Sequence, residues 1–181
     1  MRNLNRRPVD FDAIRLLVTD LDGVWTDGSI YVDDSGAEAL RFSAHDGLAV
    51  KLAHDGGLRI AILSARNCPA VYFRMTRLGV DEIRQGSRDK AADFDSLCRT
   101  LGLEPGQAVY MGDDLTDLAP GGQAAVAVTV PQAPAEVRLA ADFMTEAPGG
   151  AGAVRETVEW LLRGAGRWDE TVRAYQPRDR E

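Results

Sequence analysis

The sequence predicts an α/β protein built on a doubly wound parallel sheet, with a small β-hairpin flap after strand one and no large cap domain. Two observations predict this fold. Short apolar runs with the composition of buried strands alternate with amphipathic stretches that end at glycine. One stretch, residues 29–43, breaks the alternation and has the turn chemistry of a hairpin.

The strand candidates are compact apolar runs bounded by Gly, Pro, Asp or Ser. They lie at residues 14–19, 58–63, 107–111, 125–130 and 141–145. The helix candidates lie between them, at residues 46–55, 68–78, 89–101 and 151–163, each closed by a glycine. In the first helix, Leu48, Val50, Leu52 and Ala53 are expected to form the apolar face. Strands and helices in this order form a Rossmann-like parallel sheet covered on both faces.

The hairpin candidate lies between the first strand and the first helix. Ile30-Tyr-Val32 is followed by a turn at Asp33-Asp-Ser-Gly36 and by a second extended run around residues 40–42. Because it follows strand one, it lies at the edge of the sheet where ligands of such folds bind. It is therefore expected to overhang a site, although a purely decorative hairpin is the alternative.

Composition narrows the class of protein. The chain has 181 residues, 45% of them hydrophobic, which suits one domain with a real core. A net charge of −7 and only 7% aromatic residues argue against nucleic-acid binding, which needs clustered cations. No apolar run has transmembrane or signal-peptide length, and Cys68 and Cys98 lack disulfide-scaffold or metal spacing. We expect a soluble, cytoplasmic protein that acts on a small molecule, with no nucleic-acid or membrane partner.

Polar side chains follow three of the predicted strands. These are Asp20 and Asp22 after the first, Ser64 after the second, and Asp113, Asp114 and Asp117 after the third, with Lys90 at the start of the preceding helix. The carboxyl ends of parallel strands meet at one edge, so these side chains are expected to converge. Converging carboxylates repel one another unless a cation lies among them. Since the set contains no histidine or thiolate, Mg²⁺ is the expected ion.

Such a set suits a phosphoryl group. The metal and Lys90 would neutralise its oxygens, Ser64 would donate a hydrogen bond, and a carboxylate would act as nucleophile. Each motif alone has an ordinary structural explanation, because Asp-x-Asp-Gly and Gly-Asp-Asp are common in turns and a lysine at a helix start is usually solvated. The combination, with each member beside a buried strand, indicates phosphoryl chemistry.

These residues carry a resemblance. Asp20-Leu-Asp-Gly-Val24, Ser64, Lys90 and Gly112-Asp-Asp-Leu-Thr-Asp117 are similar to the four motifs of the haloacid dehalogenase superfamily of phosphohydrolases, in the expected order. The hairpin, Asp46-Gly47, Ser64-Ala-Arg66 and Gly149-Gly-Ala-Gly-Ala-Val-Arg-Glu156 further resemble the branch that hydrolyses 3-deoxy-D-manno-octulosonate 8-phosphate, a step of lipopolysaccharide biosynthesis. The resemblance spans roughly residues 14–170.

The resemblance implies a role for each catalytic residue. Asp20 would be the nucleophile and a Mg²⁺ ligand, giving an aspartyl phosphate. Asp22 would be the general acid/base and would bind the metal through its main-chain carbonyl. Asp113 would be the third protein ligand, and Ser64 and Lys90 would hold the phosphoryl oxygens. Behind them, Asp114 and Asp117 would support the metal site or orient the lysine.

Substrate contacts are also implied by the resemblance. They fall on Ser43, Ala44, His45, Asp46, Gly47, Lys51, Arg66 and Arg74. The carboxylate of an acidic sugar phosphate needs a cation, and Arg66 or Arg74 would supply a bidentate one. The chain departs from the branch pattern at Ser43, His45 and Ala151, where asparagine, arginine and arginine are usual. A nine-carbon 2-keto acid 9-phosphate is therefore the alternative substrate.

The same resemblance implies an N-terminal arm (residues 1–13), a phosphohydrolase domain (14–170) with its flap at about 24–43, and a C-terminal tail (171–181). It implies a homotetramer with the flaps at its centre, in which a neighbouring subunit helps to close each site. Two functions from other classes stay open. A receiver domain would place its phosphoacceptor on a middle strand, and a non-catalytic regulatory relative would usually lack Asp20 or Asp22.

Overall fold

The protein is described here by a computed structural model that covers residues 1–5 and 8–176. The strands are β1 Arg2–Asn3, β2 Leu16–Thr19, β3 Tyr31–Val32, β4 Glu38–Ala39, β5 Arg59–Leu63, β6 Glu82–Arg84, β7 Ala108–Met111, β8 Val126–Thr129 and β9 Phe143–Met144. The α-helices are α1 Ala44–Asp55, α2 Pro69–Leu78, α3 Lys90–Thr100, α4 Leu118–Gln123, α5 Ala135–Ala140, α6 Ala153–Gly164 and α7 Trp168–Arg173, with short 3₁₀ turns at Pro105–Gln107 and Leu115–Asp117. Residues 6–7 of the predicted arm and 177–181 of the predicted tail lie outside the described residues.

Seven strands form one sheet in the order β1-β9-β8-β7-β2-β5-β6. Every neighbouring pair is parallel except the edge pair β1–β9. All four residues of β2 are buried, because helices cover both faces of the sheet. The chain continues from β2 to β5, which lies on one side of β2 in the sheet, and it later returns to form β7 on the other side of β2. The loops after β2, β5 and β7 therefore meet at this switch point, and the predicted doubly wound fold is confirmed.

The hairpin forms a separate two-stranded sheet, β3–β4, with Tyr31 opposite Ala39 and Val32 opposite Glu38. Its turn is fixed by Asp33, whose carboxylate accepts from the backbone of Ser35 and Ala37. The prediction that the second strand lies around residues 40–42 was wrong by two positions. The apolar side chains at those positions, Leu40 and Phe42, pack against the main core instead, which ends the strand earlier.

Two apolar clusters lie on the two faces of the sheet. The larger one includes side chains of α1, α2 and α6, and the smaller one is built on α3. Leu48 was expected on the buried face of α1, but it is 41% exposed, because Ala49, Val50, Leu52 and Ala53 complete that face without it. In the described ranges, nothing of the size of a cap domain is inserted, and no helix is long and apolar enough to cross a bilayer.

Candidate active site

The loop after β2 holds Asp20 in a fixed orientation. Its backbone N–H donates to the Met111 carbonyl of β7 at 2.8 Å, and its Oδ1 accepts from the Leu21 N–H at 2.7 Å. Trp25 is buried below this loop and donates from its indole nitrogen to Thr19 Oγ1 at 2.7 Å. The nucleophile candidate therefore lies at the end of a central strand, on a packed base.

Lys90 bridges the carboxylates of two different loops. Its Nζ lies 2.7 Å from Asp20 Oδ2 and 2.7 Å from Asp117 Oδ1, and the residue is only 6% exposed. Helix α3 begins at this lysine because the preceding Asp89 caps it, accepting from the N–H groups of Ala91 and Ala92. The cap sets the starting point of the helix and so the direction in which the lysine enters the site.

Asp117 is the most heavily bonded of the carboxylates. Besides Lys90, its Oδ1 accepts from the Tyr110 hydroxyl at 2.7 Å, and its Oδ2 accepts from the N–H groups of Asp113 and Asp114 at 3.0 and 3.1 Å. Asp117 thus contacts Lys90, and its role in orienting the lysine stays a prediction. Because it already accepts from four donors, the other carboxylates have more capacity left for a metal ion.

Asp113 packs directly over the glycine of the nucleophile loop. A Cβ placed on Gly23 would lie 1.9 Å from Asp113 Oδ2, and Gly23 has φ +74°, so glycine is required at this position. Carboxylate oxygens of Asp20, Asp113 and Asp117 lie within 4.8 Å of one another. The structure therefore brings together three of the acidic residues that the sequence singles out.

The electrostatics of this group favour a cation. Burial, followed by the charges of Asp20, Asp117 and Asp114, raises the pKa of Asp113 to about 7. Burial and Asp117 raise the pKa of Asp20 to about 6, although Lys90 opposes the shift. A divalent cation bound among such carboxylates stabilises their ionised forms. An all-oxygen donor set fits Mg²⁺, and Asp20 and Asp113 are the side chains that would hold it.

The loop after β5 supplies Ser64 and Arg66. Ser64 is buried, and its hydroxyl accepts from the Arg66 N–H at 3.2 Å. The Arg66 guanidinium makes a bidentate contact with Asp22, with Nε 3.0 Å from Oδ2 and Nη2 2.8 Å from Oδ1. The general acid/base candidate is therefore paired with an arginine at the rim of the site.

These residues line one cavity of about 290 Å³. Its walls are Asp20, Asp22, Gly23, Gly28, Ser64, Ala65, Arg66, Lys90, Asp113, Asp114 and Thr116. A smaller, mainly apolar space of about 80 Å³ lies nearby against Gly121 and Val137, and its polar lining includes Tyr110 and Asp117. The polar cavity is the candidate active site because the four motifs converge there.

The predicted substrate contacts at the start of α1, residues 43–47, do not line this cavity. Ser43 caps the helix, Ala44 and His45 are exposed at its start, and Asp46 is buried. Asp46 accepts from the backbone of Gly152 and Arg155 at 3.0 and 2.9 Å, so it holds the first turn of α6.

The remaining predicted contacts differ in their surroundings. Arg74 packs on Gly47, where an added Cβ would lie 2.8 Å from the guanidinium. Lys51 pairs with Asp55 at 2.8 Å near the other end of α1. Among the predicted contacts, Arg66 is the one that lines the cavity. Roles in substrate binding for the others stay predictions.

Several residues of the site were missed from the sequence. Tyr110 had only the pattern of a strand residue, yet its hydroxyl supports Asp117. Thr116 and Gly28 line the cavity. The Gly149-Gly150 pair packs on the nucleophile loop, where Gly150 donates to the Val24 carbonyl at 2.9 Å. Thr116 and the Gly149-Gly150 pair lie inside segments on which the resemblance rests, but no role was predicted for them.

The chain was compared with protein-family models, with curated proteins and with solved structures. No protein-family model matches the chain. The 3-deoxy-D-manno-octulosonate 8-phosphate phosphatase KdsC of Escherichia coli K12 is 36% identical over 159 residues, which cover 88% of this chain and 85% of that protein.

Solved structures of these phosphatases are similar to this chain in fold. The crystal structure of the same phosphatase from Moraxella catarrhalis, in complex with magnesium, phosphate and a KDO molecule, has a TM-score of 0.88 and 33% identity, covering 92% of this chain and 95% of that one. The cobalt-bound phosphatase from Haemophilus influenzae has a TM-score of 0.84 and 32% identity, covering 87% of this chain and 92% of that one.

Proposed function

Because the chain belongs to the 3-deoxy-D-manno-octulosonate 8-phosphate phosphatases of the haloacid dehalogenase superfamily, we propose that it is a Mg²⁺-dependent phosphatase of that sugar acid. The observation that carries the proposal is the buried Asp20–Lys90–Asp117 arrangement beside Asp113, at the switch point of the sheet.

Asp20 is the proposed nucleophile. Its carboxylate attacks the phosphorus, the bond to the sugar oxygen breaks, and Asp22 gives that oxygen a proton. In the second step Asp22 takes a proton from water, which attacks the phosphorus and releases inorganic phosphate and free Asp20. Asp22 lies at the cavity wall, so it can serve both steps from the same place.

The remaining polar residues hold the phosphoryl group. Lys90 brings a buried positive charge beside the attacking carboxylate, and Ser64 offers a hydroxyl from the neighbouring strand. A bound Mg²⁺ supplies charge neutralisation of the phosphoryl oxygens. Asp20 and Asp113, with the main-chain carbonyl of Asp22, are the groups proposed to hold the ion, and Asp114 and Asp117 support them.

The substrate is proposed to be an acidic sugar phosphate because Arg66 lies at the cavity and can bind a carboxylate. The departures at Ser43, His45 and Ala151 fall on the N-cap and first turn of α1 and on the glycine-rich segment, and none of the three lines the cavity. They leave the phosphatase chemistry intact, and the nine-carbon 2-keto acid 9-phosphate remains the alternative substrate.

A homotetramer is proposed with the hairpins at its centre. Ile30, Tyr31 and Val32 are 45%, 57% and 63% exposed, which is unusual for a continuous apolar run on an isolated chain. Light scattering at micromolar concentration tests this, and a monomer would contradict it while leaving the chemistry standing. A cytoplasmic location stays a prediction from the sequence.

The decisive experiment is inorganic phosphate release from three esters, with and without Mg²⁺. They are 3-deoxy-D-manno-octulosonate 8-phosphate, a nine-carbon 2-keto acid 9-phosphate and glucose 6-phosphate. We expect Mg²⁺-dependent release with preference for the eight-carbon acid. Preference for the nine-carbon acid would reassign the substrate, and no release from any ester would favour a non-catalytic relative.

A further inference from the structure

One side chain of the hairpin contacts a residue that lines the candidate active site. Glu38, on β4, places Oε2 2.8 Å from Nη1 of Arg66. The other two nitrogens of the same guanidinium bind Asp22. Arg66 therefore carries two carboxylates at once, one belonging to the catalytic loop and one belonging to the flap.

The two contacts differ in their setting. The bidentate pair with Asp22 uses the planar fork of the guanidinium and lies at the cavity wall. The Glu38 contact is a single hydrogen bond, and the Glu38 side chain is 38% exposed against 20% for Arg66. An exposed pair of this kind is worth little, so an incoming carboxylate can displace it.

Resting on the proposed function, we propose that Glu38 is an internal competitor for acidic substrates. Its carboxylate occupies, at Nη1 of Arg66, the position that the carboxylate of a sugar-acid phosphate takes on binding. Glu38 must then leave the arginine, and the hairpin moves with it. A phosphate ester without a carboxylate places nothing there and binds with Glu38 still on Arg66. Glu38 is thus a specificity-determining residue.

The negative charge of Glu38 also opposes the binding of acidic substrates. The substrate carries negative charge on both its phosphate and its carboxylate, and Glu38 adds another negative charge at the rim. The glutamate therefore opposes acidic substrates twice, by occupying the arginine and by repulsion. Removing its charge relieves both effects for an acidic substrate, whereas a phosphate ester without a carboxylate experiences only the repulsion of its phosphate.

The test is Glu38→Gln, assayed with Mg²⁺ on 3-deoxy-D-manno-octulosonate 8-phosphate and on p-nitrophenyl phosphate. Asp34→Asn removes one exposed negative charge from the same hairpin and is the matched control. We expect Glu38→Gln to lower KM for the sugar acid by about two- to fivefold, the range that loss of an exposed ion pair allows. The kcat/KM of Glu38→Gln for p-nitrophenyl phosphate should stay within the error of wild type. Asp34→Asn should keep both the wild-type KM for the sugar acid and the wild-type kcat/KM for p-nitrophenyl phosphate.

The free sugar acid gives a second readout. As an inhibitor of p-nitrophenyl phosphate hydrolysis, it should bind Glu38→Gln more tightly than wild type by the same factor. An unchanged or higher KM for the sugar acid in Glu38→Gln, an equal gain with both esters, or the same gain in Asp34→Asn would overturn the proposal. None of these results would affect the proposed function, which fails only if wild type does not hydrolyse the sugar-acid phosphate.

Discussion

The carboxylate cluster and the hairpin lie about the same cavity but are held in opposite ways. Lys90 and Asp117 are 6% and 4% exposed, and Asp117 accepts from four donors on three elements. Every residue of β3 and β4 is exposed, and Glu38 of the hairpin contacts the site through one hydrogen bond from Arg66. The carboxylate cluster is therefore held by buried hydrogen bonds, whereas the hairpin is held at the site by an exposed hydrogen bond that water can replace.

The largest expected effect comes from the cluster. Asp20→Asn removes the nucleophile and should lower kcat for phosphate release on the order of 10³-fold or more, because the other groups cannot form the covalent intermediate. Asp12→Asn, at an exposed position remote from the site, is the control and should keep the wild-type rate. Phosphate release from Asp20→Asn near the wild-type rate would contradict the mechanism.

Lys90→Met should cost about 3–5 kcal/mol of unfolding free energy in EDTA, since it leaves two buried carboxylates without their cation. Lys51→Met removes an exposed lysine that is also paired, and it should cost less than about 1 kcal/mol. Urea unfolding of both variants gives the comparison. Equal losses would mean that the buried bridge does not stabilise the cluster.

Stability should depend on pH and Mg²⁺ together. The pKa values of Asp20 and Asp113 are raised to about 6 and about 7, so the folded protein binds protons that the unfolded chain has released above about pH 4. In EDTA, the contribution of these groups should therefore fall as pH rises from about 4 to about 7.

Added Mg²⁺ should reverse this loss. At a hundredfold excess over its Kd it should add about 2.7 kcal/mol at pH 8, and much less at pH 5, where protons compete for the same oxygens. Thermal unfolding with and without the ion at the two pH values measures the difference. An equal gain at both would place the ion elsewhere.

A smaller effect is expected inside the cluster. Tyr110→Phe deletes one of the four donors to Asp117 and should cost about 1.5 kcal/mol, with kcat lowered by up to about tenfold as Lys90 loses its fixed partner. Tyr72→Phe, on the exposed face of α2, is the matched control and should leave both quantities unchanged. A Tyr110→Phe protein with wild-type kcat would show that the hydroxyl only fills space.

The smallest effect is expected at the hairpin. Glu38→Gln should change the unfolding free energy by less than about 1 kcal/mol, because its partner keeps both bonds to Asp22. Denaturation beside Lys90→Met makes the comparison between the two regions direct. A loss of several kcal/mol at Glu38 would mean that the flap is a structural part of the site.

Some features could not be predicted from local patterns. Strand β6 is short and only half-buried, so it lacks the apolar run that marks the central strands. Strand β1 has two exposed polar residues and exists because it pairs with β9. Asp46 lies in a helix start that suggests capping or substrate contact, yet it anchors another helix more than a hundred residues away. In each case the cause is a long-range partner.

What the sequence determined by itself was the alternation of the central strands with the helices between them, the doubly wound sheet and the candidate acidic residues of the site. These follow from apolar periodicity and from the rule that parallel strands present their carboxyl ends together. Only the tertiary structure decided which two carboxylates bind Lys90, that the Tyr110 hydroxyl donates to Asp117, and that Glu38 of the flap binds Arg66. The Lys90 and Glu38 contacts join segments that are distant in sequence, and their distances and burial arise only when the sheet has brought those segments together.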